Sequence, residues 1–344
     1  MTMKLHWIAA ACVMAAGTAA QADEHAAAMV VTASNTATNQ LLVYDTAGNL
    51  LETLATQGQG GVGGNAGGIA YAHGRLAVVN HGSSNVSIFG RSGGGHHHFQ
   101  LEHVIPTQGQ PVSVAFGAGH LYVLTGTRVE SHAIDGGGVR TSADGSTQLL
   151  HADGSAGQVG VIRGQLIITE KSNAIESVAL DGRGAVGGVA TSVAAIPANV
   201  DTPLGLATRG DEAYVTIAHA NEISLVRGDQ VLSTTGSGTQ NAPCWLTLAG
   251  PFLYSANTPS MSLSRYAVYG QKIVQDAAVA ASFNGKPTDV DYRAGLLAAI
   301  DSNGTASHVS VFGVDEDGNL ALKAVATVNS PSINGVVVVA GDRD

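Results

Sequence analysis

Short apolar stretches recur along the chain at regular intervals. Each unit begins with an apolar segment, and a second one follows ten residues later, as in 76–79, 121–124 and 253–256. A third stretch alternates apolar and polar residues, for example 86–89 and 309–312, which is typical of a half-buried β-strand. A turn containing glycine and a weaker fourth stretch close each unit. The pattern therefore predicts repeated units of four β-strands.

The spacing of these units predicts the architecture. They begin at residues 66, 111, 156, 203, 243, 287 and 331, so that the period is 40 to 47 residues. Four strands in such a period are typical of a β-propeller blade. A β-sandwich with accidental internal similarity is the alternative, but it does not account for the incomplete units at the two ends of the sequence.

Those two incomplete units complement each other. The last unit, from Pro331, contains one predicted strand at Val336–Val339, whereas residues 29–60 contain three strands and lack a first. We therefore predict an all-β, seven-bladed propeller in one domain, residues 23–344, with 3+1 closure of the shared blade. Closure leaves no open sheet edge for aggregation, and we expect a monomer.

The first residues have the features of a signal peptide. Lys4 precedes an apolar run over 5–16, and Ala20-Gln21-Ala22 fits the small-x-small cleavage pattern. We predict that residues 1–22 are removed and that the protein is periplasmic or extracellular. No later stretch has the roughly 20 continuous apolar residues of a membrane span. After cleavage Cys244 is the only cysteine, so an intramolecular disulfide is excluded.

Composition narrows the function classes further. Charged residues make up 12% of the chain and 45 residues are glycine, against a usual charged fraction of about 25%. Such a sequence does not encode a coiled coil or a charged helical bundle. Lysine and arginine number 16 against 26 aspartates and glutamates. Because nucleic-acid binding depends on clustered basic residues, we expect no nucleic-acid partner.

Five segments carry a family resemblance: residues 65–70, 79–89, 242–245, 254–257 and 287–289. Together with the blade pattern, they resemble the seven-bladed lactonase family, in its secreted bacterial branch. That family includes 6-phosphogluconolactonases and carboxymuconate cyclases. The resemblance covers essentially the whole mature chain and implies a propeller with a lactone site at the mouth of its central channel.

The same resemblance marks one blade. In the carboxymuconate cyclases an Arg-His pair begins the blade whose second strand ends in glutamate. Here Thr169-Glu170 retains the glutamate, but Gln158 and Val159 stand where Arg and His are expected. The chain therefore lacks the electrophile and the proton donor that the family pattern implies.

The repeat also predicts which residues converge. Fourteen residues after the unit starts lie Asn80, Thr125, Glu170, Ile217, Asn257 and Asp301, with Asn35 taken as the equivalent in the split blade. We call this set the column, and we expect it to ring one mouth of the channel. Turn capping by asparagine and aspartate explains the same positions without a function.

From the column we predict Glu170 and Asp301 as catalytic residues, because a carboxylate can act as a general base on water attacking a lactone carbonyl. The predicted substrate-binding residues are Asn35, Asn80, Gln158, His219 and Asn257. His219 follows the column position of the blade that has Ile217 there.

Two function classes remain open. The first is an exported hydrolase or cyclase acting on a lactone, and the second is a non-catalytic propeller that binds a small molecule or a protein. We expect no required cofactor; a divalent metal ion held by the column oxygens is the alternative. His96-His97-His98 follow three glycines and could bind a transition metal, but a solvated glycine-rich hairpin is the favoured explanation.

Overall fold

The computed structural model describes residues 28–65, 67–91, 98–193 and 201–340. These residues contain twenty-nine β-strands arranged in seven antiparallel sheets. The only helices among them are two single turns of 3-10 helix, His81–Ser83 and Ala218–Ala220. In this part of the chain no helix has the length and hydropathy needed to cross a membrane. The predicted signal peptide, with His96 and His97, lies outside the described residues.

The strands follow one another from blade to blade, and within blades 2 to 7 from the channel outward. Blade 1 contains β1 (Met29–Ala33), β2 (Gln40–Asp45) and β3 (Leu50–Ala55); blade 2 contains β4 (Ile69–Ala72), β5 (Arg75–Asn80), β6 (Asn85–Arg91) and β7 (Phe99–Pro106); blade 3 contains β8 (Pro111–Gly117), β9 (His120–Thr125), β10 (Arg128–Asp135) and two short outer strands, β11 (Gly138–Val139) and β12 (Gly145–Gln148). Blade 4 contains β13 (Ala156–Ile162), β14 (Gln165–Glu170), β15 (Ala174–Leu180) and β16 (Val186–Ser192); blade 5 contains β17 (Pro203–Arg209), β18 (Glu212–Ile217), β19 (Glu222–Arg227) and β20 (Gln230–Gly236). Blade 6 contains β21 (Pro243–Ala249), β22 (Phe252–Asn257), β23 (Ser262–Tyr269) and β24 (Lys272–Ser282); blade 7 contains β25 (Lys286–Arg293), β26 (Leu296–Ser302), β27 (Ser307–Val314) and β28 (Leu320–Val328); β29 (Asn334–Val339) then completes blade 1.

The last strand closes the ring as predicted. β29 pairs antiparallel with β1, with Val337 opposite Val31 and Val338 opposite Val30, and the sheet order is β29-β1-β2-β3. All four valines from 336 to 339 are buried. The predicted seven blades and 3+1 closure are confirmed.

The core is divided among the blade interfaces. Seven apolar clusters are present in the described residues, one at each interface between neighbouring blades. Val30 belongs to the cluster shared with Val311 of blade 7, and its neighbour Val31 belongs to the cluster shared with Val78 of blade 2. Successive side chains of a strand point to opposite faces. One inner strand can therefore serve two interfaces.

A β-bulge begins most of the innermost strands. In five blades the first residue of the repeat pairs with the last residue of the second strand, and a register shift follows; the pairs are Pro111–Thr125, Ala156–Glu170, Pro203–Ile217, Pro243–Asn257 and Pro287–Asp301. Proline lacks an N–H and is tolerated at the start of an edge strand or at a bulge. Because a bulge reorients the residues next to it, these bulges help to aim the following side chains at the channel.

Candidate functional site

A central channel with a volume of about 450 Å³ runs between the innermost strands, and every blade contributes to its wall. The wall is largely valine, leucine, isoleucine and alanine. Its main polar side chains are Tyr71 of blade 2, Gln158 of blade 4, and Asp289, Asp291 and Arg293 of blade 7. Three of these five residues lie on one strand, β25.

One mouth of the channel is closed by the loop between β3 and β4, described over residues 56–65 and 67–68, which we call the crossing loop. The Gly67 N–H donates to Asp289 Oδ2 of blade 7 at 3.2 Å, and the Gly67 carbonyl accepts from Val114 N of blade 3 at 2.8 Å. Asn65 Nδ2 donates to the Ala156 carbonyl of blade 4 at 2.9 Å. Blades 4 and 7 lie on opposite sides of the ring, so the loop spans the mouth at which the column lies.

Gly67 is suited to this position for two reasons. Its φ is +65°, a conformation in which other residues are strained. A Cβ atom there would lie 2.8 Å from Ser113 Oγ and 3.2 Å from Gln158 Nε2. The positive φ and these two close contacts therefore favour glycine where the backbone passes between blades 3, 4 and 7.

Asp289 is held at the closed end of the channel. Its Oδ2 accepts the N–H groups of Gly67 and Val336, both at 3.2 Å, and its Oδ1 accepts the Val290 N–H at 2.8 Å. Burial raises the pKa of Asp289 to about 7, and the negative charge of Asp291 acts in the same direction, while these N–H bonds oppose the change. The carboxyl can therefore exchange a proton near neutral pH.

Asp291 lies two residues further along β25 and thus on the same face of the strand. Its Oδ2 accepts the Val338 N–H at 2.8 Å. Burial raises the pKa of this carboxyl, and the positive charge of Arg293 works against that rise. Asp291 is half-buried, whereas Asp289 is buried.

These bonds have a structural purpose as well. The innermost strand of a blade has no further strand on its channel side, so its N–H groups need other partners. Asp289 and Asp291 accept from alternate N–H groups of β29, and Gln158 Oε1 accepts from Leu206 N of β17 at 2.8 Å. Polar side chains in the channel thus satisfy the exposed edge of the next blade.

At the opposite, open mouth two arginines flank a tyrosine. The Cζ atoms of Arg91 and Arg293 lie 5.8 Å and 5.4 Å from the centre of the Tyr71 ring. Arg91 also donates through Nη2 to the Ala340 carbonyl at 2.8 Å, which ties blade 2 to the residue after β29. Among the described residues, two arginines therefore lie at this mouth, whereas Asp289 and Asp291 lie towards the other end.

The asparagines of the column are structural links. Asn80 Nδ2 donates to Asn85 Oδ1 and Ser87 Oγ, both at 2.7 Å, and its Oδ1 accepts from Asn39 at 2.9 Å and Thr56 at 2.7 Å. All hydrogen-bonding capacity of this amide is used, and the side chain joins blades 1 and 2. Asn257 is bonded in the same manner to the hydroxyl groups of Ser255, Ser262 and Ser264. Both asparagines are fully buried.

The register corrects the position of Asn35. In blade 1 the residue that pairs with the start of the innermost strand across the bulge is Ala33, opposite Asn334. Asn35 lies two residues beyond, with a positive φ of 54°. Its side chain binds the crossing loop through Val62 and Gly61, with Oδ1 accepting the Gly61 N–H at 2.7 Å. The split blade had concealed this offset, because the repeat could not be counted across the two ends.

Glu170 is buried inside blade 4. Its Oε2 accepts from Ser155 Oγ at 2.8 Å, and its Oε1 is buried without a partner among the described residues. Burial chiefly raises the pKa of Glu170 to about 8, helped by the charges of Glu176 and Asp153. The carboxyl does not belong to the channel wall.

Asp301 and His219 are placed apart from the channel as well. Asp301 Oδ1 lies 2.9 Å from Nδ1 of His308 within blade 7, and the aspartate is 2% exposed. His219 lies on the surface, with Nδ1 3.0 Å from Thr202 Oγ1 and 3.5 Å from Asp201 Oδ2. Of the predicted site residues, only Gln158 lines the channel.

Sequence reasoning missed Asp289, Asp291 and Arg293. The sequence did contain a signal for them, because the three residues alternate along one predicted innermost strand and so share one face.

Across residues 28–65, 67–91, 98–193 and 201–340, no group of three or more His, Cys, Asp or Glu side chains is arranged to hold a metal ion.

The fold of this chain is similar to that of several solved structures. A protein from Lactobacillus plantarum has 16% identity and a TM-score of 0.68, and the match covers 91% of this chain and 99% of that one. Two structures named as putative 6-phosphogluconolactonases, from Bacteroides fragilis and Bacteroides uniformis, have 13% and 15% identity and TM-scores of 0.65 and 0.66, with 91% of this chain covered in both cases and 98% and 99% of theirs. No protein-family model and no curated protein matches the sequence. At these identities the likeness concerns the fold alone.

Proposed function

We propose that this chain is an exported, lactonase-like propeller that opens or closes a lactone ring in its central channel. The observation that carries the proposal is the row of Asp289, Asp291 and Arg293 along one strand, inside a cavity of about 450 Å³ that is closed at one end. The fold shared with putative 6-phosphogluconolactonases supports the substrate class.

The roles follow from the contacts. Asp289 accepts three backbone N–H bonds at its two oxygens, whereas Asp291 accepts two, from Val338 and Tyr292. Asp291 is therefore the better general base: it takes a proton from water as the water oxygen attacks the lactone carbonyl. The Arg293 guanidinium stabilises the oxyanion of the tetrahedral intermediate. Collapse breaks the ring C–O bond, and the proton held by Asp291 passes to the leaving oxygen to give a hydroxy acid. Ring closure is the reverse sequence.

The test is a screen of the mature protein against aromatic, aliphatic and sugar lactones. Once the screen has identified a lactone that is hydrolysed, Asp291→Asn should lower kcat for it by roughly 10²- to 10⁴-fold, the usual contribution of a general base. Arg293→Met should also lower kcat. Glu170→Gln is the matched control, because it neutralises a buried carboxyl outside the channel. Loss of turnover in Glu170→Gln with full activity in Asp291→Asn would move the chemistry to the column, as the family resemblance implies.

The second candidate function is non-catalytic binding of a small molecule or a protein. It is favoured by the bonds of Asp289, Asp291 and Gln158 to the edges of neighbouring strands, since each side chain already has a structural partner. In that case no lactone in the screen is turned over, while a bound lactone still raises Tm. Asp291→Asn would then change the affinity and not a rate.

Export is part of the proposal and has its own test. Mass spectrometry of protein from its native compartment should find an N-terminus at Asp23, within a few residues. An intact Met1 would contradict the signal-peptide interpretation.

A further inference from the structure

Three asparagines of this chain are followed directly by glycine, in the pairs Asn284-Gly285, Asn303-Gly304 and Asn334-Gly335. Glycine has no side chain to hinder its backbone nitrogen, which can therefore attack the carboxamide carbon of the asparagine before it. The nitrogen gives its proton to base, the N–Cγ bond forms, the Cγ–Nδ2 bond breaks, and ammonia leaves with a proton from water. Water then opens the cyclic imide at either carbonyl, which yields aspartate or isoaspartate.

Asn303 is exposed, but hydrogen bonds hold both groups that would react. It lies in the turn between β26 and β27. Its Oδ1 accepts from Thr305 N at 3.0 Å, from Thr305 Oγ1 at 2.8 Å and from Ala306 N at 2.9 Å. The attacking nitrogen, that of Gly304, donates to Ser302 Oγ at 3.1 Å. Formation of the imide at this site requires these bonds to break first.

Asn334 is protected by the closure of the ring. It begins β29, where it pairs with Ala33 across the bulge, and it is buried. The carbonyl of the following Gly335 accepts from Thr32 Oγ1 at 2.6 Å, which fixes the attacking residue to β1. A Cβ atom at Gly335 would lie 2.6 Å from Ile69 N, so the backbone there is closely packed. The reaction would have to displace the strand that closes blade 1.

Asn284 has neither kind of protection. It lies in the connection between β24 and β25, and its side chain is exposed. Within the described residues neither the Asn284 carboxamide nor the Gly285 N–H has a hydrogen-bond partner. The exposed side chain is the part that moves during the attack, and no bond has to break beforehand. We propose that Asn284 is a modification site of this protein, which deamidates with water as the co-reactant while the fold preserves Asn303 and Asn334.

The position of this site links the modification to the channel. Gly285 is buried and directly precedes β25, the strand that carries the channel carboxyls. An added Cβ at Gly285 would collide with Asp301 Oδ1 and with the carbonyl group of Ser302, so the main chain has no spare room there. Isoaspartate inserts an extra methylene group into the main chain at this point, whereas aspartate keeps the length of the main chain. The isoaspartate form should therefore have the lower Tm.

Peptide mapping by mass spectrometry after incubation of the folded mature protein in mildly alkaline buffer tests the site. Conversion at Asn284 should be at least roughly tenfold faster than at Asn303, because several hydrogen bonds must break at the second site. The matched control is the same protein unfolded in urea, where all three asparagines have the same glycine neighbour and should convert at similar rates. An Asn284 that stays intact in the folded protein while it converts in urea would overturn the proposal.

Two variants separate the effect of the fold from that of the sequence. Asn284→Gln should abolish the modification at this position and the downward shift of Tm during incubation. Thr305→Val removes the hydroxyl and leaves the glycine neighbour in place, so it should speed conversion at Asn303 without changing the rate at Asn284. Equal conversion at the three sites in the folded protein, or a Tm loss that persists in Asn284→Gln, would contradict the proposal. None of these measurements depends on lactone turnover.

Discussion

The aspartate at the closed end of the channel makes stability depend on pH in a defined direction. The pKa of Asp289 rises from its ordinary value of 3.8 to about 7 in the folded protein, chiefly because the carboxyl is buried. The native state therefore holds a proton that the unfolded chain has released. As the pH rises from about 4 to about 7, this difference lowers the free energy of unfolding, and above the folded pKa the loss levels off.

The size of the effect follows from the same shift. One pKa unit corresponds to about 1.4 kcal/mol, so a shift of roughly three units amounts to about 4 kcal/mol. Asp289→Asn keeps the side chain neutral and similar in shape at every pH. The variant should lose one weak hydrogen bond, about 1 kcal/mol, at pH 4.5. Its stability relative to the unmodified protein should then increase by about 1 kcal/mol per pH unit up to pH 7.

The assay is urea unfolding at several values between pH 4.5 and 8. Trp245 is buried in the cluster between blades 6 and 7, and its fluorescence reports the loss of packing. The control is Asp135→Asn, because hydrogen bonds from Gly137 and Arg140 lower the pKa of that exposed carboxyl and reverse the sign of its pH dependence. A stability difference between Asp289→Asn and the unmodified protein that stays constant within about 0.5 kcal/mol from pH 5 to 7 would refute the reasoning.

Three further predictions concern the ring and its links. Removing residues 331–344 deletes four buried valines, each contributing about 1.5–3 kcal/mol, and exposes the edge of β1. We therefore expect the truncated protein to aggregate, which size-exclusion chromatography would show. A truncated monomer with an unchanged Tm would contradict this prediction. Gly67→Ala places a Cβ 2.8 Å from Ser113 Oγ at a φ of +65°, and it should lower the free energy of unfolding in urea by about 1–2 kcal/mol. The control is Gly63→Ala, which should leave that free energy unchanged because no atom lies within 4 Å of the added Cβ. Asn80→Ala removes four hydrogen bonds, three of them to buried side chains, and should cost about 3 kcal/mol, against less than about 0.5 kcal/mol for the exposed Thr38→Ala.

The sequence by itself determined the architecture of this protein. Strand alternation and turns at a 40–47-residue period specify blades, because each unit must bury both faces of its inner strands against its neighbours. Prolines at 111, 203 and 243 mark the starts of innermost strands, since proline is tolerated where a strand begins and no N–H is needed. The lone strand at the end and the three strands at the beginning could be joined from sequence because an unpaired edge is unfavourable.

Only the tertiary structure decided which polar residues are available for chemistry. Asn80 and Asn257 end second strands as the repeat predicted, but bonds to neighbouring strands consume their amides. Asp289 becomes a channel residue through Gly67 and Val336, which are 222 and 47 positions away along the chain. Contacts at such separations have no periodicity to reveal them, because they depend on how the ring closes and on where one loop crosses it.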